Sequence, residues 1–319
     1  MRYIRQEIFN EIGKKGQQKL GKSTIAIVGL GALGSVSAEL LTRAGIGRLI
    51  LIDRDIVELS NLQRQSLFDE TDFGKPKALA AKEKLNRINS EIKIDFYIDD
   101  LNYGNIDKII TINGKYNDEK NNKLKTNKKI KKNNISLILD CTDNLETRFL
   151  INDFSIKNKI PFIYSSAVGS KGYIFNIIPD KNNPCLRCLL KEASHLDTCE
   201  TFGVLNSITH LISSIQSNEA VKILLNKDYE KKLLFFDSWK NELLKIKVNK
   251  NKNCVCCAKN NFEYLSGKRA SRTSKMCGNN IFQIKIKSTD KKQFRELKNK
   301  LRKIGKIIDF NYCINFNNR

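Results

Sequence analysis

One stretch near the N-terminus constrains the fold more than any other part of the chain. Residues 24–28 form a short β-branched apolar run, which is typical of a buried parallel strand. Three glycines follow in the pattern G-x-G-x-x-G, at Gly29, Gly31 and Gly34. Residues 32–44 then carry leucine and valine at helical spacing. A strand, a glycine turn and a helix in this order predict a nucleotide-binding end of an α/β sheet.

The alternation of strands and helices continues along the first half of the chain. Further strands are predicted at 48–52, 92–98 and 135–140, with a helix from Gly74 to about Asn89. This order predicts a doubly wound, mostly parallel, Rossmann-like sheet. After residue 160 the pattern favours strands, a helix from about Ser207 to Leu225 and a hairpin, so a β-rich half should continue the first.

Changes in composition divide the chain. We predict a main domain over 1–262, a linker over 263–275 and a small α+β appendage over 276–319. Within the main domain, residues 113–134 contain eight lysines against two acidic residues and show no periodicity. That stretch is predicted to be a surface insertion.

Composition limits the classes of function. The net charge of +23 invites a nucleic-acid interpretation, but no nucleic-acid motif accompanies it, and an acidic protein partner would also gain from the charge. No apolar run is long enough for a membrane span, and the charged N-terminus does not resemble a signal peptide. The protein is therefore expected in the cytoplasm, where nine cysteines favour metal binding or catalysis over disulfides.

Charged residues after the glycine turn indicate the kind of nucleotide. Asp53 follows Gly34 at about the 20-residue spacing at which a carboxylate binds a ribose. Arg64 and Lys77 then add two cations, which suit a triphosphate better than a dinucleotide. Asp143 ends a predicted strand, where it could hold Mg²⁺ beside phosphates.

The cysteines form two C-x-x-C pairs. Cys185 with Cys188 and Cys254 with Cys257 have the spacing of a tetrahedral Zn²⁺ site, so a structural zinc is predicted. Cys256 offers a competing thiol, and a metal-binding register that uses it stays open.

Six motifs occur in order between residues 2 and 144: RYIRQ, GLGALGS, LIDRD, SNLQRQ, GKPKA and DCTDN. In this order they resemble the ThiF/MoeB-type sulfur-carrier adenylyltransferases, which are related to ubiquitin-activating enzymes. The resemblance implies that the main domain is an adenylation domain with structural zinc at both C-x-x-C pairs. It also implies that the appendage is incomplete, because relatives continue with another hairpin.

The resemblance assigns roles to the matching residues. The three glycines would line the nucleotide and Asp53 would hold the ribose, while Asp143 would govern Mg²⁺ and the reacting centre. The phosphates would be contacted by Asn61, Arg64 and Lys77. Arg5 matches an arginine that enters the partner subunit's active site, which implies a homodimer.

Cys199 has no other cysteine at metal-ligand spacing. In the thiamine branch of the family, a cysteine at this place links covalently to the carrier through sulfur, whereas in the molybdopterin branch it is dispensable. An exposed or half-buried thiol without a role is an equal alternative. A hydrolytic pair of Cys199 with His195 is a weaker one.

The resemblance implies ATP-dependent adenylation of the C-terminal glycine of a small ubiquitin-like sulfur carrier, with a cysteine-desulfurase-type sulfur donor completing a thiocarboxylate. The thiamine branch is favoured, and the small subunit of molybdopterin synthase is the alternative carrier. A tRNA-modifying dehydratase of the same superfamily, a nicotinamide oxidoreductase and a non-catalytic binding protein are the rival classes. The dehydratase should lack the paired cysteines, and the oxidoreductase would leave Arg64 and Lys77 unexplained.

Overall fold

The structure is a computed structural model that describes residues 2–111, 135–190 and 202–269, together with 296, 298–300, 302–303, 305–309 and 314–318. Its helices are α1 (Ile4–Ile8), α2 (Gly13–Leu20), α3 (Gly34–Ala44), α4 (Lys77–Ile88), α5 (Leu145–Asn158), α6 (Leu186–Leu189) and α7 (Asn206–Leu225). Its strands are β1 (Thr24–Val28), β2 (Arg48–Ile52), β3 (Lys93–Tyr97), β4 (Leu137–Asp140), β5 (Phe162–Val168), β6 (Lys171–Ile177), β7 (Leu233–Asp237), β8 (Glu242–Ile246), β9 (Gly305–Asp309) and β10 (Ile314–Asn318).

Eight of the described strands form one mixed sheet in the order β3-β2-β1-β4-β5-β6-β7-β8. The first five run parallel, and β6, β7 and β8 are added antiparallel. The mostly parallel, Rossmann-like sheet is therefore confirmed for the first half of the chain. The antiparallel strands supply the β-rich continuation.

The centre of the sheet is the place where its strand order reverses. β1 lies between β2 and β4 and is parallel to both. The chain leaves β1 toward β2 and leaves β4 toward β5, so the two connections diverge and a crevice opens at the carboxyl ends of the strands. The glycine turn and the DCTDN motif both lie at this crevice.

Two apolar layers cover the sheet. Along β1, Ile25 and Ile27 face a layer that includes α3, α4 and α7, while Ala26 and Val28 face a layer built around α5. Both faces of the strand are buried, which explains why β1 is continuously apolar.

Helix α5 has no counterpart among the elements predicted from the pattern. Residues 148–155 are all buried, so the central part of the helix has no exposed face and its sequence has no amphipathic period. Other elements lie close to their predicted bounds, such as β2 at Arg48–Ile52 and α7 at Asn206–Leu225.

Some predictions concern residues for which little or no structure is described. The insertion at 113–134 and most of the linker and appendage lie outside the described residues. Near the C-terminus, β9 and β10 pair antiparallel with each other. Among the described residues, no helix combines the length and apolarity that crossing a bilayer requires.

Candidate active site

The glycine turn between β1 and α3 is shaped by close backbone contacts. Gly29 has a φ of +87°, and a Cβ there would lie 2.7 Å from the carbonyl oxygen of Cys141. A Cβ on Gly34 would lie 1.8 Å from the carbonyl oxygen of Gly29. A Cβ on Gly31 would meet only Nε2 of Gln65, at 3.9 Å. Two glycines therefore allow the turn to form, and Gly31 leaves the space beside the N-terminus of α3 open to an anion.

Asp53 follows β2 and holds the glycine turn in place. Its Oδ2 accepts the backbone amide of Leu30 at 2.6 Å, and its Oδ1 accepts the amide of Asp55 at 2.7 Å. Burial raises the pKa of Asp53 to about 6, against the opposing charge of Lys77. The carboxylate that was predicted to bind the ribose thus lies directly beside the glycine turn.

Lys77 is the first residue of α4 and is buried. Its Nζ lies 3.3 Å from Oδ2 of Asp55. Burial alone would lower the pKa of Lys77, but the carboxylates of Asp53 and Asp55 outweigh it and raise the pKa above its ordinary value. Lys77 therefore stays a cation at any physiological pH, although it lies inside the protein.

The SNLQRQ segment forms a 3-10 turn at Leu59–Asn61 and leads toward the glycine turn. The Asn61 side chain accepts the amide of Glu58 at 3.4 Å, and Arg64 Nη1 donates to the carbonyl of Ser60 at 2.9 Å. Both side chains are partly exposed, with internal hydrogen bonds that a ligand could replace.

Gln65 is a candidate residue that the sequence interpretation did not single out. It is 3% exposed, and its Oε1 finds no hydrogen-bond partner among the described residues. Since Gln65 also lies against Gly31, its amide faces the nucleotide end of the sheet. The motif contained this residue, but only the fold shows that its side chain is buried with an unused acceptor.

The DCTDN turn after β4 is held by buried polar groups. Oδ1 of Asp140 accepts the amide and hydroxyl of Thr142, at 3.1 and 2.8 Å. Arg148 of α5 donates to the carbonyl of Thr142 through two nitrogens and to the hydroxyl of Tyr164 at 3.3 Å. Burial raises the pKa of Asp140, and the charge of Arg148 opposes that rise. These contacts fix the turn that presents the exposed carboxylate of Asp143.

Arg54 completes the charged group and was also missed from the sequence. Its Nη1 donates to Asp100 at 3.0 Å, and its Nε lies 3.5 Å from Oδ1 of Asp55. Burial would lower the pKa of Arg54, whereas Asp100, Asp55 and Asp143 raise it. Arg54 is the arginine of the LIDRD motif, but its acidic partner Asp100, which follows β3, is distant in sequence.

Asp143 belongs to the same electrostatic group. Its charge raises the pKa of both Arg54 and Lys77, so the carboxyl ends of β2 and β4 meet at one site. The donor set fits Mg²⁺, because Asp143 is exposed and the buried Oδ1 atom of the partly exposed Asp55 has no hydrogen-bond partner among the described residues beyond its 3.5 Å ion-pair contact with Arg54. The arrangement offers cations for phosphates and carboxylates for a ribose and a divalent metal.

The four predicted cysteine ligands converge in the structure. Their sulfurs all lie within 4.8 Å of one another, and Cys256 does not belong to the group. The Sγ atoms of Cys185 and Cys254 are 3.7 Å apart, and those of Cys188 and Cys257 are 3.5 Å apart. Tetrahedral zinc–thiolate bonds place sulfurs about 3.8 Å apart. The donor set therefore fits a structural Zn²⁺.

Hydrogen bonding within this four-cysteine cluster shifts the pKa values of its thiols in opposite directions. Hydrogen bonding with Cys185 lowers the pKa of Cys188 to about 6. Hydrogen bonding with the same thiol lowers the pKa of Cys254 below its ordinary range. The pKa of Cys185 is raised by hydrogen bonding with Cys188, and the pKa of Cys257 is raised as well. Metal ligation requires thiolates, so a bound metal would have to displace protons from these two sulfurs.

Among the described residues, the predicted site residue Arg5 is not brought to the site of its own chain. Arg5 is exposed on α1, where Gln6 donates to the carbonyl of Ala44 at the C-terminal end of α3 and to Oε1 of Gln17 on α2. The glycine turn is at the opposite end of α3, roughly 16 Å away for a helix of this length. Cys199 and His195 lie outside the described residues.

Known proteins are similar to this chain in sequence and in fold. The sequence profile of the ThiF family matches residues 3–257. The chain is 37% identical over 310 residues to the sulfur carrier protein ThiS adenylyltransferase of Bacillus subtilis, a match that covers 95% of this chain and 85% of that protein. It is 31% identical over 260 residues to the molybdopterin-synthase adenylyltransferase of Salmonella typhimurium, which covers 81% of this chain and 96% of that protein.

A solved structure shows the same fold at lower identity. The crystal structure of E. coli MccB with MccA-N7isoASN superposes with a TM-score of 0.66 at 20% identity, over 81% of this chain and 75% of that one. With a family profile that spans most of the chain and a relative above 30% identity over nearly its whole length, the chain belongs to the ThiF family.

Proposed function

We propose that the protein adenylates the C-terminal glycine carboxylate of a small ubiquitin-like sulfur carrier protein with ATP, in preparation for a thiocarboxylate used in thiamine (thiazole) synthesis. One observation carries the proposal. Lys77, Arg54 and Asp143 come from three different segments, and the charge of Asp143 contributes to the raised pKa of both cations beside the glycine turn. Two cations and a carboxylate are the groups that bind a triphosphate together with a metal ion. The relatives named above are adenylyltransferases.

The reaction follows from the charges at the crevice. An oxygen of the carrier's carboxylate attacks the α-phosphorus of ATP, and the bond from that phosphorus to the bridging oxygen breaks, releasing pyrophosphate. The turn at Gly29–Gly34 holds phosphate oxygens through backbone amides, and Asp53 accepts from the ribose. Lys77 and Arg64 balance the charge that develops on the pyrophosphate.

Mg²⁺ would be held at Asp143, where it would neutralise phosphate oxygens. The turn that carries Asp143 is fixed by Arg148 and Asp140, so the carboxylate needs little reorganisation to receive a cation. Arg148 therefore acts as a positioning residue for the site.

A second step would complete the product. The outer sulfur of a persulfide on a cysteine-desulfurase-type donor would attack the acyl carbon of the adenylate, and AMP would leave with the bonding electrons. A thiol, as the two-electron reductant, would then attack the donor-side sulfur of the acyl disulfide, form a disulfide with the donor and release the thiocarboxylate. Cys199 is the candidate for a covalent link to the carrier during this step, and its place in the chain precedes α7.

The extent of the similarity sets the order in which the carriers are tested but does not by itself separate the two branches, because the match to the sulfur carrier protein ThiS adenylyltransferase of Escherichia coli also covers only 82% of this chain. The match to the Bacillus subtilis enzyme extends over 95% of the chain and so includes part of the C-terminal appendage. The match to the molybdopterin-synthase enzyme covers 81%. Because the appendage is shared with the former, the thiamine carrier is the first substrate to test and the molybdopterin carrier is the second.

The position of Arg5 supports a homodimer. Arg5 is exposed at the end of α3 that is remote from the glycine turn, so it cannot serve the site of its own chain. Exposed apolar side chains of the N-terminal segment, Ile8 at 63% and Phe9 at 58%, offer surface for a second copy. In the dimer, Arg5 would enter the partner's crevice.

The experiment is carrier-dependent exchange of labelled pyrophosphate into ATP, with the thiamine-branch and molybdopterin-branch carriers tested separately. We expect exchange with the thiamine carrier and little with the other. The reverse preference would keep the chemistry and transfer the protein to the molybdopterin branch. Folded, metal-loaded protein that supports no exchange with either carrier would refute adenylation of a sulfur carrier.

A further inference from the structure

Cys256 is a fifth thiol beside the four-cysteine cluster. It lies between Cys254 and Cys257 in sequence and is fully buried, with 0% of its surface exposed. Sequence spacing leaves its role open, because a cysteine two positions from Cys254 could replace Cys257 as a ligand. In the fold, however, the sulfur of Cys257 lies 3.5 Å from that of Cys188, and Cys256 is not among the four converging sulfurs.

The sulfur of Cys256 accepts a hydrogen bond from a residue of α5. Nδ2 of Asn152 donates to Sγ of Cys256 at 3.2 Å. Oδ1 of the same side chain accepts the backbone amide of Leu186 at 2.8 Å. The amide of Leu186 is a donor, so it requires the oxygen of the Asn152 side chain, and the amino group must then face the sulfur. The orientation is therefore determined by the contacts themselves.

These two bonds join both metal-binding segments to one helix. Leu186 lies inside the first C-x-x-C pair, and Cys256 lies inside the second. Asn152 is 0% exposed, so neither of its bonds competes with water. Asp153, the next residue of α5, accepts the amides of Tyr264 and Leu265 at 2.9 and 3.4 Å and so holds the chain just after the second pair.

We propose that Asn152 and Cys256 form a hydrogen-bonded lock that assembles the four-cysteine metal site against α5, with Cys256 as a positioning residue and not a ligand. Metal ligands are oriented by hydrogen-bonded neighbours, and loss of such a neighbour typically reduces metal affinity 10- to 100-fold. The lock holds two segments that are more than 60 residues apart in sequence, so without it the four sulfurs meet less often in ligating geometry. The inference goes beyond adenylation and does not depend on it.

The first test counts ligands. Purified protein is analysed for zinc, and the metal is then replaced by Co²⁺, whose absorption reports the number of bound thiolates. We expect Cys256→Ser to keep one metal per chain and the wild-type Co²⁺ spectrum. Cys257→Ser should lose thiolate-to-metal absorption. The opposite result, loss in Cys256→Ser and retention in Cys257→Ser, would show that Cys256 is the ligand and would overturn the proposal.

The second test measures retention of the metal. Zinc release to excess chelator is followed with a colorimetric zinc indicator. We expect Asn152→Ala and Cys256→Ala each to release zinc 10- to 100-fold faster than the wild type. Because both changes break the same bond, the double variant should be little faster than the faster single variant. Cys141→Ala, which removes another buried thiol outside the cluster, is the control and should release zinc at the wild-type rate.

Unchanged release from both folded single variants would refute the lock, and so would fully additive effects in the double variant. Circular dichroism establishes folding before each measurement. If Asn152→Ala does not fold, the decision rests on Cys256→Ala, whose substitution removes only a sulfur. None of these readouts uses adenylation, so the lock and the proposed reaction can fail separately.

Discussion

The backbone amide of Leu30 donates a 2.6 Å hydrogen bond to Oδ2 of Asp53, and this bond joins the turn after β1 to the end of β2. The same carboxylate is proposed to accept hydrogen bonds from the ribose, so nucleotide binding and the shape of the glycine turn depend on one ionisable group. Burial raises the pKa of that group to about 6. Its protonation therefore falls in a range that can be tested in solution.

We expect ATP affinity to fall as the pH is lowered through 6. A neutral Asp53 would accept more weakly from Leu30 and from a ribose. The free energy of unfolding should change in the opposite direction and rise as the pH is lowered. The pKa of this carboxyl rises from 3.8 to about 6 on folding, so its stabilising contribution is complete below pH 3.8 and is lost as pH rises through 6. ATP titrations and thermal melts between pH 5 and about 8 check both trends. Asp53→Asn is the control, and a pH dependence that persists in it would assign the effect to another group.

Two alanine substitutions in the glycine turn should separate folding from binding. Gly34→Ala places a Cβ 1.8 Å from a backbone oxygen, so we expect a large loss of stability. Gly31→Ala meets only one side-chain atom at 3.9 Å, so the melting temperature should hold while ATP affinity falls about tenfold or more. Thermal melts of the two variants measure the effect on stability, and ATP titrations measure the effect on binding. Normal ATP binding by Gly31→Ala would place the phosphates elsewhere.

Lys77→Met should abolish most of the exchange activity. A buried cation beside Asp53 and Asp55 would be replaced by an isosteric apolar side chain, and we expect kcat to fall by about 100- to 1,000-fold. Its loss also leaves the carboxylates unbalanced, so the melting temperature is measured in parallel. Lys84→Met removes a lysine of the same helix that pairs with Asp72 at 2.8 Å, and it should lower stability with less effect on kcat.

Asp143→Asn should act through Mg²⁺. The amide keeps the size of the side chain and removes its charge, so we expect at least about a 100-fold loss of kcat and a higher Mg²⁺ requirement. Pyrophosphate exchange is measured over a series of Mg²⁺ concentrations. Wild-type kcat at saturating Mg²⁺ would contradict the predicted loss, and an unchanged Mg²⁺ requirement would exclude Asp143 from the metal site.

Arg5 can be tested by mixing inactive variants. Arg5→Ala and Asp143→Ala homodimers should each lack exchange activity. In a mixed dimer, the chain with intact Asp143 receives Arg5 from its partner, so one complete site forms and activity returns. Mixtures prepared by reversible dissociation are assayed for exchange. Failure to recover activity in a dimer proven to be mixed would show that Arg5 does not act across the interface.

Much of the nucleotide-binding half could be predicted from local pattern. The strand, glycine turn and helix at residues 24–44 form a continuous signal, because a buried strand is apolar and a phosphate turn needs glycine. The two C-x-x-C pairs were equally visible, since a metal imposes the spacing within each pair. Helix α5 was not visible, because burial on all sides removes the period that identifies a helix.

The sequence by itself determined which chemical groups this protein can use: the glycine turn, the cations Arg64 and Lys77, the carboxylate of Asp143 and the four cysteines. Only the tertiary structure decided which of them meet, and it added Arg54, Gln65 and the bond between Asn152 and Cys256. These contacts join residues that are distant in the chain, as Asn152 and Cys256 are. Local pattern reports the backbone preference and burial of each segment, whereas a buried hydrogen bond depends on two segments packed together.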